Sequence, residues 1–208
     1  MIDNICTFLT NKIRKELPEV DDEKAEVIFY GLQNILGEVP KTILLFVMAY
    51  ILGILKETLL VFIMIMPYRS VSGGFHLKTH LGCIIGTSLY YFGIVYLSKY
   101  VIFSQIVKYI VILLVWIFGI IMIKKYAPAD TENVPILSKK ARRKNQILAY
   151  ITLSIGLLLS VMIRDNVISN MLIFSNLIQT LTITRLAYKL TKNRYGYEVY
   201  SDTSVSNV

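Results

Sequence analysis

Apolar residues run in long blocks along this chain instead of alternating with polar ones. Four blocks stand out: Leu81–Ser98, Val101–Ile123, Gln146–Ile163 and Asn166–Thr184. Each has about 18 residues or more, enough for a helix to cross a hydrocarbon layer. Helices are the expected spanning form, because lipid offers the backbone no hydrogen-bond partners. A fifth apolar stretch, Thr42–Met66, is interrupted by Lys56 and Glu57. One long helix would bury that charged pair, so the pattern predicts two short segments turning at Lys56-Glu57 and ending at Pro67. Ahead of it, Ile2, Ile5, Cys6, Leu9 and Ile13 recur at helical spacing beside Lys12, Arg14 and Lys15. That is the pattern of a helix lying in a membrane surface. Asp21 or Asp22 is placed to cap a second helix bearing Val27, Ile28, Leu32, Ile35 and Leu36, with Gly37 and Pro40 as its expected stop.

The fold class that follows is an all-α integral membrane protein, a multi-span helical bundle of about six membrane segments with an amphipathic N-terminal helical region. One membrane-embedded domain is expected over 1–208: an interfacial region 1–39, a hairpin 42–67, a loop 68–80, four spans over 81–184 and a tail 185–208. "RDN" at Arg164–Asn166 reads as a tight turn between the last two spans, and the polar tail from Tyr195 as flexible.

Composition agrees: 55% of the 208 residues are hydrophobic and 17% charged. The net charge of +8 could point to nucleic acid, but no basic patch is interleaved with aromatics as a single-strand binder needs. The basic residues fix orientation instead. "KKYAPADTENVPILSKKARRKN" carries Lys124, Lys125, Lys139, Lys140, Arg142, Arg143 and Lys144. Placing it in the cytoplasm puts the N-terminal region, the Arg69–His80 loop and the tail there too. Of the 22 Lys and Arg, Lys56, Lys99 and Arg164 then fall on the opposite side, and Lys108 inside a span. No cleavable signal peptide is expected, since residues 1–26 are densely charged and lack an apolar core. Cys6 and Cys83 are not expected to pair, Cys6 lying in a cytoplasmic segment.

The chemistry concentrates in "RSVSGGFHLKTHLGC", Arg69–Cys83, which holds both histidines and one of the two cysteines. It could be a loop without chemistry. It could be a metal site, because zinc accepts Cys and His. His76, His80 and Cys83 share a helical face, but i to i+7 rises about 10.5 Å, too far for one tetrahedral ion. Third, Cys83 could be a nucleophile with a histidine base, since a thiol needs a neighbouring imidazole or a helix N-terminus to become a thiolate. His80 is closer along a regular helix. If Gly73-Gly74 turns the chain and Thr79 caps the next helix, His76 lies in a folded loop and can reach back. Cys83 would then sit near the positive helix N-terminus. These arguments leave both histidines open.

The same stretch resembles the signature of the accessory gene regulator B (AgrB) family, membrane-embedded cysteine endopeptidases of peptide quorum sensing in Gram-positive bacteria. An arginine, a glycine pair, a histidine and a cysteine seven residues beyond it match Arg69, Gly73, Gly74, His76 and Cys83. "KKYAPADTENVPI" is similar to the family's central cytoplasmic loop. The resemblance implies catalytic Cys83 and His76, with His80 an extra, and no metal or cofactor. It implies an AgrD-type precursor with an amphipathic leader, a central Cys or Ser, and an acidic tail. Tail removal through an acyl-enzyme thioester would allow cyclisation to a thiolactone or lactone. Arg69 is a candidate for binding the tail's carboxylates or the oxyanion, or for anchoring at the membrane edge. Gly73 and Gly74 either offer N–H groups to the oxyanion or permit the turn. Asp130 and Glu132 are candidates to orient His76. The basic run Lys139–Lys144 suits an acidic tail or sets topology. Expected partners are the precursor, the lipid bilayer and a second copy in a homodimer, with no nucleic acid. The location is the bacterial plasma membrane, with reactive loop and both termini cytoplasmic. The alternative is a peptide transporter or export component, for which buried Lys108 and the Thr42–Met66 hairpin are the relevant features.

Overall fold

The computed structural model describes residues 2–17, 20–77, 79–132 and 135–205. These form helices and no strands, with one isolated parallel bridge between Gly73 and Ala129. They divide into two compact units, Met1–Gly53 and Ile54–Val208.

In the first unit, α1 (Ile2–Glu16) packs on α2 (Asp22–Ile51). Cys6 and Thr10, four apart on one face of α1, are buried while Phe8 and Ile5 are exposed; burial is one-sided, but the face differs from the one the apolar spacing predicts, since it leaves out Ile5 and takes in Thr10. Asp21 caps α2 by accepting from Lys24 N at 2.8 Å. The expected stop at Gly37 and Pro40 is absent: α2 continues through Pro40 to Ile51. Proline removes one N–H donor and crowds the carbonyl four residues before it, a local cost that a longer helix can absorb, and the turn around it is braced. Lys41 Nζ donates to Glu38 Oε1 at 2.7 Å and Thr42 Oγ1 to Glu38 O at 3.0 Å.

The break within Thr42–Met66 also differs from the expectation. It falls at Leu52–Ile54, where Gly53 takes φ 68°, and not at Lys56-Glu57. Lys56 and Glu57 lie in the first turn of α3 (Leu55–Ser72), and Glu57 pairs with Lys99. A positive φ suits the side-chain-free Gly53, and the ion pair removes the need to put Glu57 in a turn. Helix α3 then passes through Pro67 and ends at Ser72, so the loop begins at Gly73.

The second unit is an antiparallel bundle of α3, α4 (His80–Tyr100), α5 (Gln105–Tyr126), α6 (Lys139–Met162) and α7 (Asn166–Thr182), followed by short α8 (Arg185–Leu190) and α9 (Gly196–Val205). Thr79, Ser138, Asp165 and Thr184 cap α4, α6, α7 and α8 with their side chains. The Arg164–Asn166 turn stands where the sequence puts it, between α6 and α7. Among the described residues, α4, α5 and α6 are long and apolar enough to cross a membrane. Their outer faces are greasy, with Leu89, Ile106 and Leu158 all exposed.

The fourth expected span, Asn166–Thr184, is the 17-residue α7, and its character is different. It packs against α3, α4, α5 and α6. Its buried side chains include Ser169, Asn170, Ser175, Asn176, Gln179 and Thr180. Such groups are costly on a lipid-facing helix, whereas a central helix can partner most of them inside the bundle; Ser175 Oγ is buried without a partner. At one end Asn170 Nδ2 donates to Val101 O at 2.8 Å and Ser169 Oγ to Ser160 O at 2.6 Å. Close approach elsewhere depends on small residues: a Cβ at Gly156 would meet the Asn176 amide at 2.7 Å. Around α7 the apolar core gathers Val115, Ile123, Leu153, Leu157 and Ile173.

Candidate active site

The other end of the bundle collects the C-termini of α3, α5 and α7 and the N-termini of α4 and α6. Helix α3 stops because Gly73 (φ 73°, ψ −148°) and Gly74 (φ 136°) adopt backbone conformations that side chains disfavour. The pair is pinned to the segment after α5. Ala129 N donates to Ser72 O and Gly74 N to Ala129 O, both at 2.8 Å. Gly73 N donates to Arg69 O at 3.1 Å. A Cβ at Gly73 would press on the Ala129 carbonyl, and one at Gly74 on the Arg69 guanidinium and Thr182 Oγ1. Both N–H groups of the pair are therefore engaged by backbone carbonyls. Gly73 and Gly74 form the turn.

Beyond the turn the chain is irregular through Leu77 until Thr79 caps α4, its Oγ1 accepting from Gly82 N at 3.1 Å. His76 is exposed on this irregular stretch. Cys83 is a buried free thiol in the first turn of α4, its N–H donating to Thr79 O at 2.9 Å. The helix starts at His80, so His76 is off it, and the 10.5 Å separation of a continuous helix does not apply. The side chain of His80 lies outside the described residues. Among the described residues no three His, Cys, Asp or Glu side chains group to hold a metal ion.

Arg69, near the end of α3, turns inward. Its Nη2 donates to Phe75 O at 2.9 Å and its Nη1 to Thr182 Oγ1 at 3.1 Å. Gln179 of α7, fully buried, donates to Ser72 Oγ at 2.9 Å and Gly73 O at 2.8 Å, and accepts from Tyr90 OH of α4 at 3.1 Å. It thereby ties the Gly-Gly turn to the helix that bears Cys83. Tyr68 and Thr180 share a hydrogen bond of 2.9 Å just below.

The tail expected to be loose closes over this end. Tyr195 is 3% exposed, and the chain beyond it forms α9. Its ring stacks between Tyr126 and Tyr188, with centroids 6.0 and 4.1 Å away. Tyr188 OH donates to Ala129 O at 2.9 Å and Asp130 O at 3.1 Å. Aromatic stacking and phenolic donors explain the order, which a polarity count misses. Burial pushes the Tyr188 and Tyr195 phenols well above the usual tyrosine range, so both remain neutral donors. Asp130 accepts from Ile136 N at 2.8 Å and Tyr197 N at 3.0 Å, and pairs with Arg142 at 3.2 Å. Glu132 pairs with Arg194. These two carboxylates brace the central loop and the tail. A recess of about 510 Å³ beside them is lined in part by Arg185, Lys189, Asn193 and Arg194.

An arginine-held glycine turn, a histidine after it and a cysteine at a helix start form one local unit. The family model for accessory gene regulator B matches residues 6–183. The chain belongs to the AgrB family. It is 27% identical over 195 residues to a protein called AgrB-like in Clostridium acetobutylicum, covering 94% of this chain and 91% of the relative. An AgrB-like protein of Listeria monocytogenes serotype 4b is 31% identical over 191 residues, covering 90% and 91%. One from Clostridium perfringens strain SM101 is 27% identical over 147 residues, covering 69% and 68%. No solved structure matches the chain. With three apolar helices, this AgrB-family chain is a membrane protein.

Sequence reasoning passes over Gln179, Tyr90, Thr182 and Asn193, although all four bond the site. Buried polar residues in a membrane helix are a readable signal, and "NLIQTLT" at Asn176–Thr182 carries it. Asn193 lies in a polar tail and carries none.

Proposed function

We propose that the chain is a membrane cysteine endopeptidase that removes the C-terminal tail of an AgrD-type precursor and hands the remaining acyl group to a nucleophile within the precursor. The observation that carries this reading is the start of α4: Thr79 caps the helix, Cys83 occupies its first turn, and His76 stands off the helix on the loop that Gly73-Gly74 creates. The positive end of α4 favours negative charge developing on Cys83 Sγ. Cys83 Sγ attacks the carbonyl joining the central segment to the tail, and His76 takes the thiol proton. The C–N bond breaks, and His76 returns the proton to the departing amine. A thioester on Cys83 remains. The precursor's own thiol or hydroxyl gives its proton to His76 and attacks the thioester, which closes the ring and releases Cys83 as thiolate. The proton passes back to Sγ. Cys83 is buried, and cyclisation outruns hydrolysis when the bound precursor keeps water from its thioester.

Arg69 supports this chemistry by holding the loop, and the excess of Lys and Arg over Glu198 around the recess suits an acidic leaving segment, which would compete with Glu198 for Arg185 and with Glu132 for Arg194. α7 and parts of α2 and α3 complete about six membrane segments in one embedded domain. The reactive loop, central loop and tail face the cytoplasm, as the basic residues at this bundle end favour. The reading is tested by incubating the protein in lipid vesicles with the precursor peptide. Cleavage lost in Cys83→Ala and in His76→Ala but kept in His80→Ala supports it; general-base loss costs about 10²- to 10⁴-fold. A transporter reading would draw on Lys108, 4% exposed on α5. Vesicle uptake without cleavage would favour it.

A further inference from the structure

The loop that carries His76 has no helix or ladder of its own, so its shape depends on what grips it. The first grip is Ala129, whose carbonyl accepts from Gly74 N. The second is Arg69, which donates to the carbonyl of Phe75 at 2.9 Å. The third comes from far along the chain: Asn193 Nδ2 donates to the carbonyl of His76 at 2.8 Å.

The last two grips have a joint consequence. Peptide units are planar, so a residue's backbone has only two soft torsions, one on each side of its Cα. The Phe75 carbonyl belongs to the plane before His76 and the His76 carbonyl to the plane after it. Holding both carbonyls restrains φ and ψ of His76 and hence the direction of its Cα–Cβ bond. The imidazole then keeps only its side-chain rotamers.

Asn193 is itself held. Its N–H donates to Tyr188 O at 2.8 Å, and its Nδ2 also reaches Thr191 Oγ1 at 2.9 Å. The turn that presents it runs through Lys192 at φ 55°. Tyr188 in turn bonds Ala129 O, and Ala129 pairs with the Gly73-Gly74 turn. The tethers close a circuit from the turn through Ala129, Tyr188 and Asn193 back to His76. This arm of the circuit lies beyond residue 183, where the family match ends.

We propose that Asn193 is a positioning residue for His76, which it aims at Cys83 by clamping the second of the two peptide planes that flank it. The proposal rests on the reading of His76 as the general base. A mispositioned base costs roughly 10- to 100-fold in rate, and that is the loss expected for Asn193→Ala.

The test uses the full chain in lipid vesicles with Cys6→Ser, which leaves Cys83 as the remaining cysteine. Two rates are read: tail release from the precursor peptide, and alkylation of Cys83 by iodoacetamide as a function of pH, which needs no precursor. Asn193→Ala should slow tail release about 10- to 100-fold and give Cys83 the alkylation profile of His76→Ala. In a His76→Ala background it should have no further effect, because the two changes remove one function. Asn193→Asp keeps the shape, lacks the donor and should behave as Asn193→Ala; it decides the matter if the alanine variant unfolds at lower temperature. Asn193→Gln keeps an amide and should recover part of the rate. Wild-type rates and profile in Asn193→Asp, with His76→Ala inactive, would overturn the proposal and leave the base assignment standing. An equal loss with and without His76 would mark a merely structural role and also overturn it. Full activity in His76→Ala would overturn the base assignment, and the proposal with it.

Discussion

Ala129 and Gly73 form a parallel bridge across two loops, with Ala129 N on Ser72 O and Gly74 N on Ala129 O at 2.8 Å each. The central loop thereby sets the backbone that leads to His76. A side chain at residue 73 would both occupy a disfavoured conformation and press on the Ala129 carbonyl. Such strain costs about 1–3 kcal/mol. Gly73→Ala should therefore lose most precursor cleavage while keeping its helical circular dichroism. Gly93→Ala, where a Cβ meets nothing within 4 Å, should cleave as wild type. Equal activity in both would mean that the bridge has no bearing on the site.

Gln179 joins three elements, and its removal leaves partners stranded. Gln179→Leu has nearly the same size but abandons Ser72 Oγ, Gly73 O and Tyr90 OH. Each buried polar group left unpaired costs about 1–3 kcal/mol. The variant should melt at lower temperature and cleave more slowly. Tyr90→Phe abandons only Gln179 Oε1 and should lose less on both measures. A thermal ramp with parallel cleavage assays checks the order.

How much of this was legible beforehand differs by element. The helical class, the Asp21 and Thr79 caps and the Arg164–Asn166 turn follow from local chemistry, and the structure has them. Pro40 and Pro67 were misleading stops, because a helix tolerates one missing donor when the neighbouring turn is braced. α7 reads as an ordinary span by length and apolar content. Its Gln179 and Asn176 mark it as an inner helix in the sequence, but which partners they meet follows only from the four helices around them. The Arg69–Cys83 cluster was visible as a constellation. Its supports were not, since Asn193 and Tyr188 reach it over more than a hundred and about sixty positions of chain, and no periodicity encodes such a contact.

The tyrosine stack gives the docked tail a pH limit. Burial raises the Tyr188 and Tyr195 pKa above the ordinary value of about 10. A group whose folded value is raised contributes stability in full below its unfolded value, and that contribution is lost as pH rises through the folded one. Docking of the tail should thus be constant through neutral pH and weaken above about pH 10. Tyrosinate absorbance should show a late-ionising fraction in wild type that shrinks in Tyr195→Phe. Ionisation of every tyrosine near its ordinary value would show that the stack does not shield its phenols.

Charge makes a prediction about sidedness. A cysteine introduced among Lys139–Lys144, in a background lacking Cys6, should resist membrane-impermeant thiol reagents in intact cells. One placed near Lys99 or Arg164, at the opposite end of the bundle, should react. Ready labelling of the central loop from outside would put the proposed site on the wrong face of the membrane.

The covalent intermediate separates acyl transfer from simple proteolysis. If Cys83 carries the leader and central segment after the tail departs, the ring-forming residue of the precursor is what discharges it. Replacing that residue by alanine removes the internal nucleophile and leaves the scissile bond unchanged. The thioester should then accumulate, because cyclisation requires the bound precursor to keep water from it, and the altered precursor keeps the same bound segments. Mass spectrometry of the rapidly quenched protein should show an adduct equal in mass to the precursor without its tail. The adduct should be labile to hydroxylamine and absent in Cys83→Ala. In His76→Ala it should form slowly or not at all, since the same imidazole draws the proton from Sγ and delivers it to the leaving amine. If the altered precursor is cut at the normal rate and no adduct appears, water attacks directly. The role given to Cys83 as nucleophile would then have to be withdrawn.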